Sequence, residues 1–89
     1  MSEPRIRFTR LRQLLLDLEF TEIVVPDSHV GFRHEASDTT ILLPIYKSNQ
    51  IVLPRHLMPV RTLLDGKGLL EGEEFDQWLD AGSLKQSAS

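Results

Sequence analysis

Three short segments rich in β-branched residues follow one another in this 89-residue chain, and they constrain its fold more than any other feature. They cover residues 21–25, 28–35 and 39–44, with the third extending to residue 46 if Tyr46 is included. The links between them, at residues 26–27 and 36–38, have the composition of turns. Strands with such short links pair as antiparallel neighbours. The sequence therefore predicts a three-stranded antiparallel sheet with the second strand in the middle.

A helix is predicted on the N-terminal side of this sheet. Its leucines recur at the spacing of one helix face, which predicts a helix over residues 9–19 with Thr9 as its N-cap. These leucines are Leu11, Leu14, Leu15 and Leu18. This spacing indicates an amphipathic stripe whose leucines belong to the core.

Two more helices are predicted after the sheet, beyond a polar loop at residues 47–50 and a short extended segment at residues 51–53. Proline is tolerated in the first helical turn and not further inside, so the second helix is expected to begin near Met58 and Pro59. Gly66 or Gly68 is expected to end it. The third helix is expected over residues 71–80, with Phe75, Trp78 and Leu79 on its buried side. The predicted fold class is α+β.

Alternation along the second strand separates its two histidines. Successive side chains of a strand point to opposite faces, so Val30, Phe32 and His34 share one face with Ser28. The apolar members of that set assign it to the core. His29, Gly31 and Arg33 then lie on the opposite, accessible face.

Composition limits the class of protein. Apolar residues make up 40% of the chain, which is enough for one compact domain, expected over residues 1–81 with a flexible tail at 82–89. The absence of cysteine excludes disulfides and thiolate metal sites. The chain has no apolar run long enough to cross a bilayer and no signal-peptide pattern, so a cytoplasmic location without membrane partners is expected.

Charge is distributed unevenly along the chain. Residues 1–64 carry eight Lys or Arg against seven Asp or Glu, whereas residues 65–80 carry one lysine against six acids. A nucleic-acid-binding protein usually presents a basic face, and here only a local patch could serve. The arginines at positions 5, 7, 10 and 12 could contribute to it, or they could form an ordinary solvated helix end.

The order of helix, three strands and two helices, with Ser28-His29 opening the central strand, resembles the HicA (YcfA-like) family of small toxins. That family has the fold of a double-stranded-RNA-binding domain. Its first helix ends in Gly-Phe, and a Gly-Ser/Thr-His motif opens its central strand. The histidine of that motif is the catalytic residue of an mRNA-cleaving ribonuclease. The resemblance covers roughly residues 9–79.

Several positions of this chain match that pattern and several depart from it. The matches are Phe20 after the first helix, Ser28-His29, the aromatic and basic strand at 30–34, Pro44, and Leu63-Leu64 of the second helix. The departures are Glu19 and Asp27 in place of the two glycines, and Ile45-Tyr46 where the family often has Arg-His after the proline. Asp27 places a negative charge beside the motif histidine.

The resemblance implies a metal-independent endoribonuclease without cofactor, the toxin half of a toxin–antitoxin pair. His29 is then the catalytic general acid or base, a role that suits imidazole. Ser28, Arg33 and Lys47 are the implied RNA-binding residues. The implied partners are mRNA and a HicB-like antitoxin protein.

Other interpretations remain open from the residues alone. The chain could be a non-catalytic RNA- or protein-binding module on the same fold, with the acidic segment 65–80 contacting a protein, or a subunit of a larger assembly. His34 is expected to close the edge of the core, and His56, between two prolines, to be structural. The spacing of the three histidines suits no usual zinc site.

Overall fold

The computed structural model describes residues 5–26 and 29–82, which fold into an α+β arrangement as the sequence predicts. The elements are helix α1 (Phe8–Asp17), strands β1 (Thr21–Val25), β2 (His29–His34) and β3 (Thr39–Pro44), and helices α2 (Pro54–Gly66) and α3 (Gly72–Gly82). The strands pair antiparallel in the order β1-β2-β3, so the predicted order of elements and central position of the second strand are confirmed. Most of the tail predicted at residues 82–89 lies outside the described residues, and Gly82 belongs to α3.

One face of the sheet, called the inner face here, packs against the helices. Phe32 of β2 is fully buried on this face opposite Ile41 of β3. The same buried cluster continues into the helices through Leu11, Leu15, Leu57, Val60, Leu64 and Phe75. His34 is also inner and buried, whereas His29 is exposed on the other side, the outer face. The alternation of β2 thus assigns its side chains as the sequence analysis expected.

Helix α1 begins differently from the prediction. Its N-cap is Arg7 rather than Thr9, and no side chain caps it. The free amides of the first turn are satisfied by a distant loop instead. The N–H of Phe8 donates to the carbonyl of Gln50 at 2.8 Å, and the N–H of Thr9 donates to the carbonyl of Ser48 at 2.9 Å. Because the loop supplies the acceptors that a capping hydroxyl would supply, the predicted cap of Thr9 is not needed.

Helix α1 ends in a Schellman motif. The N–H of Phe20 donates to the carbonyl of Leu15 at 2.9 Å, and the N–H of Glu19 donates to the carbonyl of Leu16 at 3.0 Å. Glu19 has φ 73°, in the left-handed region that favours glycine. Phe20 and Leu15 are both buried, which is the hydrophobic contact that accompanies this motif.

Helix α2 begins at Pro54, four residues before the predicted start. Pro54 occupies the first helical position, where its missing N–H costs nothing and its fixed φ suits the helix. Pro59 therefore lies inside the helix, which the sequence rule disfavoured. Leu57 and Val60 are buried on either side of it, and their burial offsets the one backbone hydrogen bond that Pro59 cannot make.

Helix α3 is fixed to α2 by charged side chains. The N–H of Gly72, at the start of α3, donates to Oδ1 of Asp65 at 3.1 Å. The guanidinium of Arg61 donates to both carboxylate oxygens of Asp76, at 2.8 and 3.0 Å. A Cβ at Gly72 would lie 2.7 Å from Nη2 of Arg61, so a larger residue there would require the guanidinium to move. Part of the acidic charge of residues 65–80 is thus used inside the fold.

Candidate functional site

His29 lies in an apolar part of the outer face. It opens β2 and is paired with Val25 of β1 and Pro44 of β3. The next outward-facing row of paired residues consists of Ile23, Gly31 and Leu42. A Cβ at Gly31 would lie 2.7 Å from Cγ1 of Ile23, so the side chain of Ile23 covers the central strand. The described neighbours of His29 on this face are therefore mainly apolar.

A cleft of about 520 Å³ adjoins His29. Its walls come from the start of α1, from β1 and β2, and from the segment after β3. They are formed by Phe8, Glu22, Ile23, Val25, His29, Val30, Ile45 and Tyr46. The ring of Tyr46 stacks on that of Phe8, with centroids 5.7 Å apart and an interplanar angle of 16°. The exposed histidine and the half-buried tyrosine therefore share one concave surface.

Tyr46 is hydrogen-bonded to His56. The Tyr46 hydroxyl accepts the N–H of Leu53 at 3.0 Å, and it lies 2.5 Å from Nδ1 of His56. The hydroxyl can accept one hydrogen bond from Leu53 and share a second one with Nδ1, whose donor is set by the tautomer of the imidazole. His56 lies in the first turn of α2, not in a connecting segment, and the expectation that it is structural fits this contact. No motif in the sequence links these two residues, because the fold alone brings them together.

Arg33 is held at the other end of β2. Its guanidinium donates to Oδ1 of Asp38 at 2.6 Å, to Oγ1 of Thr40 at 2.7 Å and to Oε2 of Glu35 at 3.3 Å. The hydrogen bond to Asp38 is the main cause that raises the pKa of Arg33 further above its usual value. Four residues of extended strand separate it from His29, about 13 Å. The two residues share a face, but the fold does not bring them together.

Lys47 remains accessible in the loop that follows Tyr46. Its backbone N–H donates to Oε1 of Gln50 at 3.0 Å, and its side chain is exposed. The structure describes no ion pair of its ammonium group. Ser28, the fourth implied site residue, and Asp27 beside it lie outside the described residues. Lys47 is one of the residues that the resemblance assigns to RNA binding. It directly follows Tyr46, which forms part of the wall of the His29 cleft.

His34 is fixed in the inner face, as the sequence predicts. Its ring lies against Phe20 with centroids 5.1 Å apart. Nδ1 accepts the backbone N–H of Ser37 at 3.2 Å and lies 2.8 Å from its hydroxyl, which in turn lies 2.7 Å from Oγ1 of Thr39. His34 therefore closes the turn between β2 and β3 and has no access to a ligand on the outer face.

The arginines near the N-terminus also have internal partners. Nη1 of Arg7 donates to the carbonyl of Asn49 at 2.7 Å, and Nε of Arg12 donates to Oε1 of Glu22 at 2.7 Å. The guanidinium of Arg10 lies over the Trp78 ring, 5.5 Å from its centroid. These contacts favour the solvated helix end over a dedicated phosphate patch. Within the part of the chain that the structure describes, Lys47 and Arg55 are cations with neither an ion pair nor a hydrogen-bonded side chain.

A second groove, called the β3–α2 groove here, lies between β3 and α2. Its volume is about 190 Å³. It is lined by Thr40, Ile41, Leu42, Leu43, Arg55, His56, Pro59, Val60 and Leu63. His56 is in its wall and hydrogen-bonds Tyr46 in the wall of the His29 cleft, so one hydrogen bond separates the two concavities. The sequence did not indicate this groove, because it depends on how α2 packs against the sheet.

Two other features are absent from residues 5–26 and 29–82. No cluster of three or more histidine and acidic side chains there could hold a metal ion. No helix in these ranges is long and apolar enough to cross a membrane.

The fold and this site define a small α+β protein with an exposed histidine at the head of its central strand. No protein-family model, curated protein or solved structure matches the chain.

Proposed function

We propose that this protein is a HicA-like endoribonuclease, the toxin of a toxin–antitoxin pair, with His29 as its catalytic residue. The observation that carries the proposal is the position of His29. It is exposed at the start of the central strand, beside the 520 Å³ cleft, in a fold with the element order on which the resemblance rests.

The backbone at Glu19 supports the same alignment independently. The family has glycine before the phenylalanine that follows the first helix, and this chain has Glu19 before Phe20. Glu19 nevertheless takes φ 73°, the conformation that glycine adopts at no steric cost. The departure from the family motif is therefore a change of residue at a position whose backbone geometry still suits glycine.

The chemistry follows from an imidazole beside an accessible surface. His29 takes the proton of an RNA 2′-hydroxyl while that oxygen attacks the adjacent phosphorus. The bond to the 5′ oxygen breaks, and this oxygen leaves with a proton returned by the imidazolium or by water. The products are a 2′,3′-cyclic phosphate and a 5′-hydroxyl end. Lys47 stabilises the charge that develops on the phosphate, and the apolar row beside His29 contacts a base or ribose.

The test is cleavage of mRNA by the purified protein in the presence of EDTA. His29→Ala is expected to lower the rate by at least ~100-fold, the usual share of a general acid or base. Its melting temperature should equal that of the parent, because His29 is exposed. A parent protein that leaves RNA intact, or a His29→Ala variant that cleaves as fast as the parent, would overturn the proposal.

Two further variants test whether Lys47 or Arg33 contacts the phosphate. Lys47→Gln is expected to weaken RNA binding and to reduce the slope of log affinity against log salt by about 1. Arg33→Gln is the matched control, since its guanidinium already has three partners and should not change that slope. A loss of salt dependence in Arg33→Gln alone would instead assign phosphate contact to Arg33.

The second candidate function is a non-catalytic protein-binding module. The observation in its favour is an apolar, partly exposed surface around β3 and the first half of α2. It predicts no RNA cleavage but a measurable association with a protein. RNA cleavage would rest on His29 and partner binding on β3 and α2, with Leu42 bordering both surfaces.

A further inference from the structure

Strand β3 is an edge of the sheet. It pairs with β2 on one side, and no described strand pairs with its other side. No backbone hydrogen bond from another part of residues 5–26 and 29–82 reaches Thr40, Ile41, Leu42 or Leu43. Every second residue of an edge strand directs its N–H and C=O outward, where they can template a further strand.

Protective features of edge strands are missing from most of β3. Natural edges are usually guarded by lysine, by a bulge, by proline or by an inward-pointing charge. The sequence of β3 is Thr-Thr-Ile-Leu-Leu-Pro, with its single proline at the last position and no charge. Its register with β2 is continuous from His34–Thr39 to His29–Pro44, without a bulge. The central residues of β3 are therefore free to accept a partner strand.

Helix α2 gives this edge a second wall. The β3–α2 groove runs beside the edge, and its α2 side is apolar at Pro59, Val60 and Leu63. A strand added to β3 would direct alternate side chains toward this wall. The groove volume of about 190 Å³ suits a few aliphatic side chains rather than a folded domain. This geometry favours an extended peptide over a helix.

An exposed apolar side chain, Leu42, forms part of the wall of this groove. Among the described residues, the large hydrophobic side chains that remain exposed are Leu42 (57%), Ile45 (63%), Leu53 (40%) and Met58 (40%). All of them belong to β3, to the residue after it, or to the first turns of α2 and its N-cap. Of these four side chains, Leu42 lines the β3–α2 groove and Ile45 lines the His29 cleft, so Leu42 is the one that a strand added to β3 would contact.

The positive charge of Arg55 lies at one end of the groove. Arg55 lines it and has no ion pair among the described side chains. The Tyr46–His56 hydrogen bond places the start of α2 near the end of β3, so Arg55 belongs to that end. An acidic residue on the partner would complement it. Strand β3 has no charged residue, so along its length it neither attracts nor repels charged side chains of the partner.

We infer that the β3–α2 groove binds an extended peptide segment of a partner protein by strand addition to β3. The segment carries aliphatic side chains at alternate positions and an acidic residue at the end that meets Arg55. Main-chain hydrogen bonds to β3 provide affinity, and the α2 wall and Arg55 provide specificity. The inference does not depend on RNA cleavage, because His29 does not line this groove.

The probe is a fluorescein-labelled synthetic peptide of about eight residues, long enough to pair with a whole strand. It alternates valine and threonine and ends in glutamate, and a second peptide ends in glutamine. Fluorescence anisotropy is expected to show tighter binding of the glutamate peptide. Arg55→Gln should weaken that peptide about fivefold, the scale of an exposed ion pair, and leave the glutamine peptide unchanged.

Backbone methylation tests strand addition itself. N-methyl groups on one alternate set of peptide residues remove the N–H groups that face β3, and those on the other set face solvent. One methylated peptide is expected to lose binding and the other to keep it. Equal behaviour of the two, or no binding of any peptide to the parent, would overturn the inference. Amide hydrogen exchange at Thr40–Leu43 should slow in the complex.

Matched controls separate this site from its alternatives. Lys67→Gln removes an exposed cation at the far end of α2, about 18 Å from Arg55, and should leave binding unchanged. His29→Ala should also bind as the parent does, whatever its effect on RNA. Analytical ultracentrifugation of the protein alone should show a monomer. A dimer that the peptide cannot disperse would mean that a second copy, not a foreign peptide, occupies the edge.

Discussion

Helices α1 and α2 end in the same backbone motif, but with different residues at its key position. In α2, the N–H of Leu69 donates to the carbonyl of Leu64 at 2.9 Å, and the N–H of Gly68 donates to that of Asp65 at 3.1 Å. The end of α1 has the same pair of bonds around Glu19. The φ angles are 72° at Gly68 and 73° at Glu19.

The difference shows what holds each helix end in place. Glycine adopts a positive φ without steric cost, whereas a residue with a Cβ pays roughly 1 kcal/mol or more. Glu19 keeps the positive φ despite this cost because the next residue, Phe20, is only 3% exposed and anchors the chain in the core. At the end of α2, Leu69 is half-buried, and the glycine itself makes the turn inexpensive. Packing thus imposes one turn, and local conformational preference favours the other.

Among the variants that test this comparison, Phe20→Ala is expected to lower the free energy of unfolding the most. Removing a buried phenylalanine leaves a cavity and costs about 3–5 kcal/mol in the free energy of unfolding. Leu69→Ala, at the equivalent position after α2, should cost only roughly 1–2 kcal/mol because Leu69 is half-buried. Urea unfolding of both variants measures the difference. Equal losses would contradict the view that packing at Phe20 imposes the first turn.

Gly68→Ala and Gly66→Ala should change stability in opposite directions. A Cβ at either position meets no atom within 4 Å, so crowding does not distinguish the two variants. At Gly68 the positive φ makes alanine cost about 1 kcal/mol. At Gly66, inside α2, alanine should gain about 0.5–1 kcal/mol because glycine is a poor helix former. A gain at both positions would show that Gly68 does not need its left-handed conformation.

Glu19→Gly should stabilise the protein by about 1 kcal/mol, because it relieves the left-handed strain at the end of α1. In a domain of this size the melting temperature should rise by about 4–8 °C. Glu19→Ala is the matched control, since it removes the charge but keeps the Cβ, and should change little. If alanine stabilises as much as glycine, the benefit comes from removing the carboxylate and not from the backbone.

Asp38→Asn should have the smallest effect, at a third left-handed position with φ 54°. The hydrogen bond from Arg33 is the main cause that lowers the pKa of Asp38. Stability from a carboxylate with a lowered pKa is present above its unfolded pKa and is lost as the pH falls through its folded pKa. The parent should therefore exceed Asp38→Asn in free energy of unfolding near about pH 6, above the unfolded pKa, and the difference should shrink as the pH falls through the lowered pKa of the folded state. A difference independent of pH would contradict this origin.

The order of elements could be predicted because it rests on local patterns. The leucine stripe of α1, the turns between the strands and the glycine after α2 each act within a few residues. The starts of α1 and α2 could not be predicted equally well. The amides at the start of α1 are satisfied by Ser48 and Gln50, which are distant in sequence, and Pro59 is tolerated inside α2 because buried neighbours offset its cost.

The candidate site was predicted only in part. Alternation along β2 correctly separated exposed His29 from buried His34, because it depends on strand geometry alone. It also placed Arg33 on the face of His29, but it could not show that Asp38 and Thr40 hold the guanidinium at the other end of the strand. Catalysis by His29 and RNA contact by Ser28, Arg33 and Lys47 stay predictions.

The sequence by itself determined which segments form helices and strands, and which side of β2 faces the core. Periodicity and turn chemistry are properties of neighbouring residues, so the chain carries them before it folds. Only the tertiary structure decided that Tyr46 meets His56, that α2 forms a groove beside the edge strand β3, and that Glu19 accepts a left-handed backbone. Each of these depends on packing between residues far apart in the chain, and local sequence patterns do not encode such contacts.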